Sequence, residues 1–345
     1  MRLICLLFVI SMLFITACSP ASDTIRETRF MMGTLVEFTI HAAGQEQALS
    51  AIEAAGSEMQ RIENIFTIYG EGSNPVKAFN QSPPGMMQKL PSEVDSLLDT
   101  ALGIEKRSNH AFSPTLGALN RLWGFSQTEA PTSPPSDEKI HAFAKASLAC
   151  LQHGSEERFS RTTPLCELDF GAIAKGYAIE RGMETLQSHG IKHAIINAGG
   201  DIKVIGTHGE HPWKIGIRHP RNSGEVITTI EAAGEISIVT SGDYERYYSY
   251  QGRRYHHILE PESGMPATKA QSATVISSSA TLADAWSTAL FVMGREGLPQ
   301  IKKMGMNAIL VDGNGEIHYS ENAESRLQPS RSPPMLRTSD MKTDP

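Results

Sequence analysis

The chain has 345 residues, 40% hydrophobic and 20% charged, a balance that buries a sizeable core and excludes a disordered tail or a coiled coil. Lys and Arg number 31 against 38 Asp and Glu. The basic excess that a phosphate backbone requires is missing, so nucleic acid is not an expected partner.

Met1-Arg2 leads into an apolar run over residues 3–15, followed by Thr16-Ala17-Cys18. A positive start, a run shorter than the ~20 residues of a spanning helix, and small residues at its end read as a secretory signal over 1–17. Ile15-Thr16-Ala17-Cys18 resembles a bacterial lipobox, which makes Cys18 the expected lipidation site and 18–28 a lipidated tether. An ordinary signal peptide with a chance Cys has the same pattern. Acyl chains on one terminus anchor a protein without a spanning helix. Cys5 leaves with the signal and Cys18 is consumed by lipid, so Cys150 and Cys166 meet an oxidising compartment. They fit a disulfide and two free thiols about equally, and no CxxC or Cys/His cluster suggests zinc.

Residues 29–40 read as a strand broken at Met32-Gly33. Leu49, Ile52, Met59, Ile62 and Phe66 carry the spacing of an amphipathic helix. Another helix starts at Ser92, with Asp95 as a variant capping box, and carries Val94, Leu97, Leu98, Ala101 and Leu102. Residues 126–137 read as an exposed loop. A helix over 172–189 stops at Gly190, and strands follow at 191–197, 201–206, 213–218, 226–232 and 236–240. A helix over 280–293 precedes a hairpin of 307–311 and 316–319 around Asp312-Gly313-Asn314-Gly315. Residues 322–345 have the composition of a disordered tail, leaving 29–321 as the folded domain. Helices and strands come in blocks, which favours α+β with mainly antiparallel sheet. No GxGxxG follows a strand, so there is no Rossmann motif. Lys175 precedes Gly176, the reverse of a Walker A loop.

Four segments could carry chemistry. Residues 168–177 place Asp169, a Gly171 turn and Lys175 where a helix begins, an arrangement that presents amides and an ammonium to an anion; a capped helix with a solvated Lys has the same spacing. Asn197-Ala198-Gly199-Gly200-Asp201 permits positive φ for close backbone approach to a ligand or for an ordinary hairpin turn. Thr240-Ser241-Gly242-Asp243-Tyr244 is followed by His256 and His257 beside a turn, and His titrates near neutrality; a structural His fits equally. Asp284, Ser287 and Thr288 share one helix face, a carboxylate and two hydroxyls of the kind Mg²⁺ accepts; an Asp balancing a helix dipole has the same position.

Together with Met32-Gly33-Thr34, residues 111–115 (Ala111-Phe112-Ser113-Pro114-Thr115) and Leu122-Trp123-Gly124-Phe125, these segments resemble the ApbE family of FAD:protein FMN transferases over about residues 29 to 320. The resemblance implies an ApbE-like α+β fold and an Mg²⁺-dependent enzyme. It would split its substrate FAD at the pyrophosphate, attach FMN through a phosphoester to a Thr or Ser hydroxyl of an acceptor protein, and release AMP. Carried over by motif, Met32, Tyr69, Ala111, Phe112, Ser113, Asp169, Lys175 and Ile258 would contact FAD. The Ala172 carbonyl with Asp284, Ser287 and Thr288 would hold Mg²⁺, and His257 would act as general base or transition-state partner near the attacked phosphorus.

The acceptor implied is a subunit of a membrane electron-transfer complex. The enzyme would sit on the periplasmic side of the inner membrane, although Ser19 after Cys18 favours the outer membrane in enterobacterial sorting. Two positions depart from the family pattern, Ser113 where Asp is usual and Glu260-Pro261 where Asp-Pro is usual. With water replacing the acceptor hydroxyl, the same site would be an FAD pyrophosphatase. A flavin-binding lipoprotein without turnover is a further reading, against which Asp284, Thr288, His257 and Lys175 argue together.

Overall fold

The computed structural model describes residues 24–41, 43–127, 129, 131–154, 158–320 and 327–329. The signal segment and Cys18 lie outside them.

The chain enters as a hairpin of β1 (Thr24–Met31) and β2 (Thr34–His41), paired from Thr24↔His41 to Met31↔Thr34. Met32 and Gly33 make the turn with φ of 54° and 68°, the left-handed pair that a two-residue hairpin demands. The single interrupted strand of the sequence reading is therefore two strands, and β1 takes in residues 24–28 that were assigned to the tether.

α1 (Gln45–Phe66) buries Ala48, Ile52, Ala55, Met59, Ile62 and Phe66 along one stripe. α2 (Pro75–Gln81) is capped by the Asn74 side chain accepting from Lys77 N, with Pro75 in the first turn. After β3 (Gln88–Lys89), α3 (Ser92–Arg107) starts behind Pro91 with no side-chain cap. The expected Ser92 capping box does not form; Glu93 and Asp95 in the first turn and Lys106 and Arg107 in the last complement the helix dipole. α4 (Gly117–Trp123), α5 (Asp137–Ser147), β4 (Leu151–His153) and β5 (Arg158–Arg161) follow. Cys150 and Cys166 form a disulfide with an S–S distance of 2.09 Å, tying the start of β4 to the segment that leads into Asp169.

α6 (Ala174–Ser188), β6 (Ala194–Ala198), β7 (Asp201–Ile205), β8 (Trp213–Arg218), β9 (Val226–Ala232) and β10 (Ile236–Gly242) lie close to the predicted spans. A ribbon of β11 (Tyr247–Tyr250) and β12 (Arg253–His256) leads to β13 (Ala270–Ser277). Next come α7 (Ala280–Met293), a 3-10 turn, α8 (Leu298–Lys303), the hairpin of β14 (Asn307–Asp312) and β15 (Ile317–Tyr319), and β16 (Leu327–Pro329). β16 pairs with β9, so the segment read as a disordered tail contributes a strand.

The main sheet has the order β1-β2-β6-β7-β10-β13-β14-β15, with every neighbouring pair antiparallel. The α+β reading holds, and no parallel sheet occurs among the described residues. Strand alternation divides its residues between two faces. Val36, Phe38, Val239, Ala273 and Val275 pack with α1, α6 and α7, while Val204, Ile238 and Ile309 pack under Trp213, Ile215 and Ile230 of the β8–β9 ribbon. A smaller core joins Trp123 and Ile140 to Tyr248 and Tyr255 of the β11–β12 ribbon. Among the described residues no helix is long and apolar enough to cross a membrane.

Candidate active site

The first turn of α6 gathers the candidate groups. Asn80 grips the approach to it, donating to Leu168 O at 2.8 Å and accepting from Leu168 N at 2.7 Å. Asp169 comes next; Oδ1 accepts from Gly171 N at 2.8 Å and Oδ2 from Asn120 Nδ2 at 2.7 Å. Its carboxylate thus closes the turn that launches the helix. Tyr177 N donates to Ile173 O in the ordinary helical pattern, but Gly176 N donates to Asp284 Oδ2 at 2.7 Å. Among the described residues, no backbone N–H reaches the Ala172 carbonyl. That oxygen keeps its lone pairs for another partner.

Glycine at 176 is what lets α7 come this close, because a Cβ there would lie 2.3 Å from Ala280 O and 2.6 Å from Asp284 Cβ. α7 is capped by Ser279, whose hydroxyl accepts from Leu282 N, and by Glu180 of α6, whose Oε2 accepts from Ala280 N at 2.5 Å. Asp284, Ser287 and Thr288 then share a face. Ser287 Oγ donates to Asp284 O at 2.8 Å and lies 2.8 Å from Ser241 Oγ, which is 3.2 Å from Thr288 Oγ1. Ser241 faces these hydroxyls because it alternates with Thr240 on β10. The Asp284 carboxylate and the two hydroxyls, with the Ala172 carbonyl one turn before Gly176, are all oxygen donors of the kind that Mg²⁺ accepts.

Beside them Lys175 Nζ lies 2.6 Å from Asp201 Oδ2. Burial pushes the Asp284 carboxyl up, to about 7, and the Asp201 carboxylate adds to this; Lys175 and the Gly176 N–H oppose it. Burial pulls the Lys175 ammonium down, but Asp201 and Asp284 outweigh that and leave it above the usual lysine value. The site therefore contains a fixed cation between two carboxylates.

The two adjacent histidines have different roles. His256 is buried, with Nε2 donating to Ala267 O at 2.8 Å and Nδ1 accepting from Ile258 N at 3.3 Å. Both ring nitrogens are spent on the fold, and burial holds it below the usual histidine range. His257 places Nδ1 3.3 Å from Arg246 O; Nδ1–H is then the donor and Nε2 is left with a free lone pair. Burial, then the Arg246 guanidinium and His256, bring its pKa down to about 3, and Lys175 contributes in the same direction. Arg246 also acts on Tyr69, whose phenol is pushed up to about 12 by burial and the Asp169 carboxylate. Tyr69, Asp169, Arg246, His257, Lys175, Asp201 and Asp284 thus form one electrostatically connected group.

The remaining predicted residues stand around it. Met32 occupies the β1–β2 turn with its N–H on Glu63 Oε2 at 2.9 Å. Ala111, Phe112 and Ser113 follow Asn109 and His110, both at positive φ, where the chain leaves α3. The Phe112 side chain is in the main core, and Ser113 Oγ lies 2.9 Å from Thr115 Oγ1, which donates to Ser147 O. At this expected departure the Ser113 hydroxyl is committed to its own loop. Ile258 is buried in the same core. The other departure keeps its turn, with Ser263 Oγ donating to Glu260 Oε2 at 2.6 Å and Gly264 N to Glu260 O. Ala111 also lines a depression of about 600 Å³ with His110, Glu260 and Lys269, which does not include Lys175, His257 or Asp284.

Three contributors were absent from the predicted site: Asp201, Ser241 and Arg246. Asp201 and Ser241 stand in recognised segments, but their facing depends on strand pairing. The glycines of 197–201 form the two-residue β6–β7 turn, with φ of 63° and 101° and Gly200 N on Asn197 Oδ1. The ordinary-turn alternative is therefore correct for the glycines, and the residue that matters is the Asp after them. Arg246 carries no local motif; only the fold sets it against His257.

The fold that carries this site has known counterparts. The ApbE family model matches residues 32–310, and the chain belongs to that family. It is 33% identical to the FAD:protein FMN transferase of Rhodobacter capsulatus over 90% of this chain and 59% of that protein. It is 26% identical to the FAD:protein FMN transferase of Vibrio cholerae, over 92% of this chain and 96% of that protein. The crystal structure of the ApbE protein of Thermotoga maritima superposes with a TM-score of 0.81 at 33% identity, covering 88% of this chain and 99% of that one. The chain thus spans less than two thirds of the Rhodobacter relative and nearly all of the other two.

Proposed function

We propose that this protein is an FAD:protein FMN transferase. It cleaves FAD at the pyrophosphate, transfers FMN to a Thr or Ser hydroxyl of an acceptor protein, and releases AMP. What carries this reading is the first turn of α6, where Lys175 and the uncommitted Ala172 carbonyl lie beside the Gly176 N–H that binds Asp284, next to the linked Ser241, Ser287 and Thr288 hydroxyls and within electrostatic reach of His257.

The acceptor hydroxyl oxygen attacks the phosphorus of the FMN half while the bond from that phosphorus to the bridging oxygen breaks, and AMP leaves with that oxygen. His257 Nε2 takes the hydroxyl proton; Nδ1–H on Arg246 O holds the ring in the tautomer this needs. Lys175 holds the diphosphate by charge, and Tyr69 remains a protonated donor beside it. Mg²⁺ held by Ala172 O, Asp284, Ser287 and Thr288 would neutralise charge on the diphosphate. With water as attacker the same groups would give free FMN and AMP; the naming of the relatives as transferases favours the acceptor hydroxyl.

The proposal extends to location. A lipid on Cys18 would tether the domain to the periplasmic face of the inner membrane, a reading supported by the lipobox-like Ile15-Thr16-Ala17-Cys18. The acceptor would then be a subunit of a membrane electron-transfer complex. Incubation with FAD, Mg²⁺ and a Thr-bearing acceptor, read as acceptor mass and AMP, tests the activity.

A further inference from the structure

α6 and β7 are joined by two ion pairs of opposite sense. Lys203 of β7, with 1% of its side chain exposed, holds Glu180 of α6 at 2.7 Å and donates to Ser278 O at 2.7 Å. Asp201 of β7, 2% exposed as a residue, holds Lys175 of α6 at 2.6 Å. The first pair anchors the helix on the sheet together with the apolar packing of Ala178, Ile179 and Met183, and Glu180 also caps α7. The second pair lies at the end of the helix where the site is built. A buried carboxylate is expensive unless paired. Lys175 supplies that partner.

Asp201 is rigidly held. It begins β7 directly after the Gly199-Gly200 turn, where a Cβ on Gly199 would come 2.5 Å from Thr34 Oγ1, so the turn is seated against β2. Thr240 N on β10 donates to Asp201 Oδ1 at 3.2 Å, leaving Oδ2 for the ammonium. Lysine is a flexible point charge on a four-carbon stem, and one carboxylate oxygen fixed by the sheet removes that freedom.

We propose that Asp201 is a positioning residue, holding the Lys175 ammonium at the place where the FAD diphosphate binds. The inference rests on the reading of Lys175 as a substrate-binding group. Asp201→Asn retains an acceptor for Thr240 N and removes the charge that orients the lysine. FAD affinity, read from flavin fluorescence, and kcat/KM for transfer should each fall about tenfold or more, the scale typical for a residue that orients a ligand-binding group. Asp201→Asn should remain folded under the assay conditions, its unfolding midpoint lowered only by the loss of one partner of the Lys175 ammonium, and Asp201→Glu should recover part of the loss of affinity and turnover. Lys175→Met should lose at least as much, and the double variant should be no worse than Lys175→Met alone.

Wild-type affinity and turnover in Asp201→Asn, or losses that multiply in the double variant, would overturn the proposal. Wild-type FAD affinity in Lys175→Met would overturn it through its premise. A loss in Lys175→Met with none in Asp201→Asn would overturn the link alone and leave the proposed activity standing.

Discussion

Gly176 and Asp284 are joined across two helices by a 2.7 Å hydrogen bond from the glycine N–H to the carboxylate, at a separation that a single methyl group would prevent. Gly176→Ala should push α7 away from the first turn of α6. Overpacking of this kind costs about 1–3 kcal/mol, and the displaced Asp284 should lose Mg²⁺-dependent turnover more than the stability loss explains. Urea unfolding beside a Mg²⁺ titration of turnover checks both. Wild-type activity in Gly176→Ala would mean that the helices can separate without harm.

Asp284→Ala should abolish metal-dependent turnover and leave the fold intact, since its carboxylate is the only charged member of the proposed ligand set. Normal Mg²⁺-dependent turnover would refute that set.

The raised Asp284 carboxyl also affects stability. With a folded value of about 7 against an ordinary carboxyl value of 3.8, the folded protein retains a proton that the unfolded chain releases. Stability of the metal-free protein should therefore fall as pH rises from about 4 to about 7, by an amount on the order of a few kcal/mol. Asp284→Asn keeps an acceptor for Gly176 N and has no charge to bury, so its urea midpoint should stay flatter over the same window in EDTA. Parallel pH profiles for the two proteins would contradict the assignment.

The low value of His257 makes a different prediction. Because burial, Arg246 and His256 hold it near 3, the ring is already neutral at every pH above about 5. At saturating Mg²⁺, turnover should show no acid limb near the ordinary histidine value of about 6.5. His257→Ala should lower kcat with little change in FAD affinity, by about 10²-fold, the low end of the general-base range, because a ring held near 3 is a weak proton acceptor. A limb near 6.5 that disappears in a His257 variant would show that the ring titrates freely.

The disulfide supports the site from behind. Cys166 is three residues before Asp169, and closing the loop to Cys150 is worth about 3 kcal/mol in the unfolded-chain account. Cys150→Ser and reduction of the wild type should lower the unfolding free energy by similar amounts. A variant as stable as the oxidised protein would show that the loop needs no closure.

Much of this was readable from residues alone where the signal is local. The stripe of Ile52, Met59, Ile62 and Phe66 defines α1, and Asp284, Ser287 and Thr288 occupy one face of α7 by spacing. The boundaries missed have physical causes. Met32 adopts positive φ, which sequence preference reserves largely for glycine, so a hairpin read as one interrupted strand. α3 begins behind a proline with its dipole met by acidic residues, without the expected side-chain cap. β16 depends on pairing with β9 rather than on its own composition. Asp201 joins the site through a non-local contact, as does the Arg246 carbonyl that orients His257. Neither contact has a sequence period.

The most direct test of the account is to incubate the protein with FAD, Mg²⁺ and a Thr-bearing acceptor domain, and to follow acceptor mass together with free nucleotides. The account predicts one FMN phosphoester on the acceptor for each AMP released, lost when Mg²⁺ is chelated or the acceptor Thr is replaced. AMP and free FMN with an unmodified acceptor, or FAD bound and left intact, would contradict it.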